Sequence, residues 1–77
     1  MIDRRGEAVR DLMRKLQRRM NMGRQDDMAH ELGLPVSTYK YKLQDPRRFS
    51  VGDMWNIEAV ARRAGLVDEL RSAFHEM

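Results

Sequence analysis

The sequence predicts an all-α protein, a compact bundle of about five helices, and three observations support this prediction. Apolar residues recur at intervals of three and four in successive stretches, which is the spacing of one face of a helix. Gly33 and Gly65 each follow such a stretch, at the place where helices commonly end. The 77 residues include no cysteine, so helix packing alone must stabilise one small core. We therefore expect a single domain over residues 1–77.

The first helix is predicted over Asp3–Met22, where a buried stripe alternates with a basic surface. The stripe consists of Val9, Leu12, Met13, Leu16 and Met20. A second face carries arginines at four-residue intervals: Arg10, Arg14 and Arg18. Such a row is either a solvated helix surface or, in a protein that binds nucleic acid, a source of one or two phosphate contacts.

The stretch Gln25–Leu43 is predicted to form two short helices joined by a tight turn. Gly33 ends the first helix, and Pro35 begins the second. Proline is suited to that position because its missing N–H would have no partner within the helix there. This arrangement is a helix-turn-helix, formed by the second and third helices of the chain. The apolar residues that bury the two helices against the core are Met28, Ala29, Leu32, Tyr39 and Leu43.

These residues carry a resemblance to a known family. The run Gln25, Met28-Ala29, Leu32-Gly33-Leu34, Ser37-Thr38-Tyr39 and Leu43 resembles the Cro and phage-repressor type of helix-turn-helix domain, and the likeness covers residues 24–64. It implies a lambda-repressor-like fold and sequence-specific binding of double-stranded DNA. The implied protein is a small phage or prokaryotic transcription regulator, a repressor, that works as a homodimer on an inverted repeat. The implied location is the cytoplasm, with the nucleoid.

The resemblance also assigns roles to residues around the second helix of the motif. Base reading is expected from Val36, Ser37, Lys40 and Tyr41, whose side chains offer hydrogen bonds or apolar contacts to base edges. Phosphate contacts are expected from Arg24, Gln25, Thr38, Lys42, Arg47 and Arg48. The charge distribution agrees, because the net charge of +3 comes from basic residues concentrated in residues 1–24 and 35–48.

Two more helices are predicted after the motif. Ser50 and Asp53 form the pattern of a capping box at the start of the fourth helix, whose core face carries Met54, Ile57, Val60 and Ala61. Trp55 lies just beside that face, and we expect it to be a partly buried packing residue. The last helix, over residues 66–76, carries Leu66, Leu70 and Phe74, which either complete the core or form a dimer contact. The resemblance favours the dimer contact.

No catalytic constellation is evident, so we expect no enzyme and no cofactor. His30 and His75 are far apart and lack cysteine partners, which argues against a metal site, and no small-molecule site or membrane span is evident. A second hypothesis is a protein-interaction module, an antitoxin or anti-repressor, that uses the C-terminal helix and the Trp55 region. Replacing Lys40 and Arg47 by Ala should abolish the activity of a DNA-binding protein and spare that of an interaction module.

Overall fold

The structure, a computed structural model, describes residues 6–75 and confirms the all-α prediction. Within this range there is no strand, and a single 3₁₀ turn, Pro46–Arg48, joins the third and fourth helices. The five helices are α1 (Glu7–Arg19), α2 (Gln25–Glu31), α3 (Val36–Gln44), α4 (Val51–Ala64) and α5 (Val67–His75).

All five helices contribute to one core. α1 packs against α4 and α5, and α2 packs against α3. The predicted stripe of α1 is buried except for Met20, which is only half-buried at the edge of the core. The largest fully buried side chains are Tyr39, Met13, Leu16, Met28, Ile57 and Leu66.

α1 ends three residues earlier than predicted, at Arg19 instead of Met22. The cause is Asn21, whose backbone is left-handed with φ of 61°. This turn lets the Met22 N–H donate to the Gln17 carbonyl at 2.8 Å, the closing bond of a Schellman motif. Asparagine tolerates this conformation better than most residues other than glycine. The predicted start of the helix, Asp3, lies outside the described residues.

The turn between α2 and α3 has the geometry predicted from Gly33. This glycine is left-handed, with φ of 71°, and its N–H donates to the His30 carbonyl at 3.0 Å. The Leu34 N–H then donates to the Ala29 carbonyl at 2.9 Å, and the Leu34 side chain returns to the edge of the core. α3 begins at Val36, directly after the proline. The helix-turn-helix is therefore fixed by local backbone hydrogen bonds.

The prediction for Trp55 is wrong. The core face of α4 includes Ile57, Val60 and Ala61 as expected, but Trp55 is 68% exposed. An α-helix has 3.6 residues per turn, so a residue two positions from Ile57 points away from the side that packs on the core. The indole consequently lies on the outer surface of the bundle.

The assignment of a dimer contact to the last helix is corrected for two of its three residues. Leu66 and Leu70 are buried in the core of the chain itself, at 2% and 5% exposure. Phe74 is half-buried against the same core. Because the bundle is small, it uses the apolar side of α5 to complete its own interior, which leaves those two leucines without surface to offer a partner.

We expect Gly33→Ala to lower the free energy of unfolding by about 1–2 kcal/mol, the cost of a left-handed conformation in a residue with a Cβ. No atom lies within 4 Å of the added Cβ, so the loss comes from the backbone alone. Gly23→Ala is the control, since its added Cβ is equally unobstructed and its φ is not left-handed. Urea denaturation of both variants measures the difference, and equal losses would contradict the prediction.

Tyr39→Phe should raise the free energy of unfolding by about 1 kcal/mol, because an unpaired buried polar group is costly. The Tyr39 hydroxyl is buried without a hydrogen-bond partner among residues 6–75, and burial raises its pKa. The ring packs against Phe49 with centroids 6.5 Å apart, a contact that phenylalanine retains. Tyr41→Phe, which removes an exposed hydroxyl, serves as the control. A destabilised Tyr39→Phe protein would mean that the hydroxyl is hydrogen-bonded.

Candidate nucleic-acid interface

One side of α3 faces solvent along its whole length. Its exposed residues are Ser37, Lys40, Tyr41 and Gln44, while Tyr39 and Leu43 on the opposite side are buried. Of the four residues predicted to read bases, three therefore share one accessible face. The fourth, Val36, is half-buried and packs partly against the core. Thr38, at the flank of this face, is half-buried as well.

The two long side chains on this face differ in how firmly they are held. Lys40 is exposed and makes no hydrogen bond or ion pair within residues 6–75, so its ammonium is available to a ligand. Tyr41 is held by Arg48, whose guanidinium carbon lies 4.1 Å from the centroid of the ring. Arg48 also donates from Nη1 to the Tyr41 carbonyl at 3.0 Å, which fixes the arginine over the ring.

A groove of about 310 Å³ runs between α1 and α3 beside the start of α2. Its floor is apolar, formed by Met13 and Leu43, and its rim is cationic or amide-bearing. No carboxylate belongs to the described residues that line it. Such a rim suits a negatively charged group, because every polar side chain in it offers N–H donors. The rim residues are Arg10, Arg14, Gln17, Gln25, Lys40 and Gln44.

Arg10 holds the end of α3 in place. Its Nη1 lies 3.3 Å from the carbonyl oxygens of both Leu43 and Gln44, which have no partner within the helix. A cation there also complements the negative end of the helix dipole. The sequence placed Arg10 only in a row of arginines, because nothing local indicates a contact to residues 33 and 34 positions away.

An ion pair between Lys42 and Asp53 joins α3 to the start of α4. The Lys42 side chain is only 19% exposed and its ammonium is held by Asp53, so the phosphate contact predicted for Lys42 is replaced by a contact within the bundle. Asp53 also forms the predicted capping box: its Oδ2 accepts from the Ser50 N–H at 2.9 Å, and its own N–H donates to Ser50 Oγ at 3.1 Å. Burial alone would raise the pKa of Asp53, but the hydrogen bonds from Lys42 and Ser50 outweigh it and lower that pKa.

The loop after α3 presents the two arginines that the sequence assigned to phosphates. Arg47 forms two hydrogen bonds of 2.9 Å to the carboxylate of Asp45, through Nε and Nη2. The side-chain hydrogen bond from Arg47 lowers the pKa of Asp45 to about 2. Both Arg47 and Arg48 are exposed, directly after the end of α3. Fixed arginines at such a position offer planar donor groups to backbone phosphates.

The start of α2 lies at the same groove. Gln25 is exposed at the first position of the helix and lines the groove together with Lys40. Arg24 is exposed directly before it, and its backbone N–H donates to Asp27 at 3.2 Å. α2 is in turn held on α4 by the Arg63–Glu31 ion pair. The helix-turn-helix is thus anchored to the rest of the bundle at both of its helices.

Comparisons with protein-family models, with curated proteins and with solved structures found no match to this chain. In the part of the chain that the structure describes, no group of three His, Cys, Asp or Glu side chains could hold a metal ion. No helix in that part is long and apolar enough to cross a bilayer. The exposed face of α3 and the groove beside it are therefore the features of this chain that bear on its function.

Asp53→Asn should lower the free energy of unfolding at pH 7 by about 1–3 kcal/mol, since it weakens a helix cap and leaves Lys42 half-enclosed without its partner. A carboxyl whose pKa is lowered by folding contributes stability above its unfolded pKa of about 3.9 and loses it as the pH falls through the folded value. The difference between wild type and variant should therefore shrink below about pH 4.

Chemical denaturation at several pH values measures this effect. Asp11→Asn is the control, because Asp11 forms a pair with Arg14 in which both side chains are well exposed, at 72% and 65%. Exposed pairs contribute at most about 1 kcal/mol, so this variant should match wild type across the pH range. A constant difference between Asp53→Asn and wild type down to pH 2 would contradict the proposed role of the carboxylate.

Proposed function

We propose that this chain binds double-stranded DNA sequence-specifically through α3, as a small phage or prokaryotic transcription regulator that acts as a repressor. The observation that carries the proposal is the ammonium of Lys40, which has no partner within residues 6–75 and projects from the exposed face of α3. It lies beside a groove that is lined by Arg10 and Arg14 and by no carboxylate from the same range of residues. A helix that only faces solvent would not need its basic residues kept apart from carboxylates, and the chain has many acidic residues that could stand among them. A polyanionic ligand explains it.

α3 has the dimensions that base reading requires. An α-helix with its side chains is about 10–12 Å across, and the major groove of B-DNA is about 12 Å wide. Lys40 can donate to the guanine O6 and N7 acceptors, and the Ser37 hydroxyl can donate or accept at a base edge. Tyr41, with its ring held by Arg48, presents a hydroxyl in a fixed position. The exposed part of Val36 is suited to a thymine methyl group.

The phosphate contacts flank this helix on two sides. On one side, Gln25 and Arg14 line the groove that also contains Lys40, with Arg24 beside it. On the other side, Arg47 and Arg48 follow the end of α3. Arg14 makes an exposed pair with Asp11, and pairs of this kind are too weak to keep an arginine from a phosphate. Arg47 is held by two hydrogen bonds to Asp45, which fix its guanidinium close to the end of α3.

The mode of action follows from the size of the domain. A dimer bound to an inverted repeat, with half-sites about 10 base pairs apart, covers a promoter and excludes other proteins by its volume. The place of action is the nucleoid, in the cytoplasm of a bacterial or phage-infected cell. The rival function is an antitoxin or anti-repressor that binds its partner through the C-terminal helix and the Trp55 region. Leu66 and Leu70 are buried, which removes them from such a surface, while Trp55 is exposed.

Selection of bound sequences from a random duplex library at near-physiological salt tests the proposal. We expect enrichment of a palindromic site, because two copies of α3 read two half-sites. Lys40→Ala should relax the preference at one base pair in each half-site, with a discrimination loss of about 1–3 kcal/mol. Recovery of no consensus, with binding that disappears as salt rises, would overturn sequence-specific recognition.

Arg14→Ala should reduce the salt dependence of DNA binding by about one unit of slope and weaken binding to all sequences alike, since it removes one phosphate contact. Arg18→Ala is the matched control, one helical turn further along α1. Arg18 lines a different depression, between α1 and α5, together with Glu69. Fluorescence anisotropy with a labelled duplex over a range of salt gives both slopes. Equal slopes for the two variants would contradict the assignment of Arg14.

A further inference from the structure

The outer face of α4 is uncharged for most of its length. Its exposed residues before Arg62 are Val51, Gly52, Trp55, Asn56 and Ala59. In contrast, every exposed residue of α1 is charged: Glu7, Asp11, Arg14, Lys15, Arg18 and Arg19. Charged residues make up 35% of the chain, so their absence from the outer face of α4 points to a contact surface.

This face also holds two of the three large apolar residues that are exposed among the residues described. Val51 and Trp55 are 66% and 68% exposed, and they lie four residues apart, which makes them neighbours on the helix. The third large exposed apolar residue, Tyr41, is already covered on one side of its ring by Arg48. An exposed tryptophan next to an exposed valine is the type of anchor found at the centre of protein interfaces.

A hollow lies beside the indole. Its volume is about 170 Å³, and it is lined by Trp55, Ala59, Glu58 and Arg62. Glu58 and Arg62 are paired with each other at 2.9 Å, so the charged part of the lining is balanced. A charged segment gains no attraction from such a hollow. An uncharged aromatic side chain fits it better, and the small Ala59 leaves room for that side chain.

We propose that the outer face of α4 binds a second copy of this chain, with the two α4 helices antiparallel and the indole of each copy in the hollow beside Ala59 of the other. A twofold contact requires one patch to carry both a projection and the cavity that receives it. Trp55 and the hollow meet this requirement, and the charged residues at the hollow, Glu58 and Arg62, pair with each other within one copy. The inference rests on the proposed function, because it supplies the dimer that reading of an inverted repeat needs.

The area of the face predicts the strength of this contact. α4 has 14 residues and is therefore about 21 Å long, and one side of a helix is about 10 Å wide. The resulting footprint is about 200 Å² in projection. A single helix face of this size is smaller than the contact surface of a standard stable interface, in which about 20–30 residues of each partner take part. The dimer should therefore be weak and reversible in free solution. A duplex with two half-sites strengthens it by holding two copies at high effective concentration.

Trp55 is the only tryptophan in the chain, so its fluorescence reports directly on this surface. We would measure emission spectra and sedimentation equilibrium of the full chain without DNA, from about 1 μM to about 1 mM. We expect the average mass to approach twice that of the monomer as the concentration rises. The emission maximum should shift to shorter wavelength over the same range.

Ala59→Glu fills the hollow with a charged side chain and retains the tryptophan. This variant should stay monomeric, and its emission maximum should remain at the longer wavelength of a solvent-exposed tryptophan at every concentration. Ser72→Glu, on the exposed side of α5, introduces the same charge elsewhere and should dimerise like wild type. Urea denaturation of both variants establishes that they are folded.

Three results would overturn the inference: a monomer at all concentrations, a dimer whose Trp55 emission does not shift, or a dimer that survives Ala59→Glu. A monomer at all concentrations would mean that the outer face of α4 does not bind a second copy and is a surface for a different protein. Either of the other two results would mean that the dimer contact lies elsewhere on the chain. Because DNA is absent from these measurements, such a failure leaves DNA binding intact. A normal monomer–dimer equilibrium in a chain that selects no DNA site would overturn only the proposed function.

Discussion

One carboxylate, that of Asp53, joins α3 to the start of α4. It accepts a hydrogen bond from the Ser50 backbone at the start of α4, and it pairs with Lys42 in the last turn of α3. The helix that carries the exposed Lys40 is therefore attached to the helix that carries the exposed apolar face. Without this carboxylate, the start of α4 keeps the hydrogen bond from the Asp53 N–H to Ser50 Oγ but loses the reciprocal half of its capping box, and a largely enclosed ammonium loses its counter-ion.

The basic residues of the chain serve two different purposes. Arg10 and Arg19 donate to carbonyl oxygens at the ends of α3 and α4, where they complete the backbone hydrogen bonding of other helices. Lys40 has no such partner within the described range, and the pair that Arg14 makes is exposed. The groove between α1 and α3 brings these two available cations together. A high content of arginine thus supports the fold as well as the surface that we propose for DNA.

Local signals were enough to predict the helices, and long-range contacts decided the rest. Gly33 and the Ser50–Asp53 capping box act within a few residues, so the sequence located the turn and the start of α4 correctly. The burial of Lys42 and the exposure of Trp55 depend on how α3 and α4 pack, which periodicity along one helix does not reveal. The exposed face of α3 and the burial of Tyr39 could both be predicted, because both follow from helical spacing. The groove could not be predicted, because it forms only where α1 packs beside α3.

The arginines at the end of α3 determine how much order the helix already has before it meets a ligand. Its last carbonyl groups accept hydrogen bonds from Arg10, and the Tyr41 carbonyl accepts one from Arg48. A helix end secured from two separate segments does not fray, so association freezes few backbone torsions. In the DNA binding that we propose, the entropy penalty then falls mainly on side chains such as Lys40. The heat-capacity change of that binding should accordingly reflect buried surface, with no contribution from coupled folding.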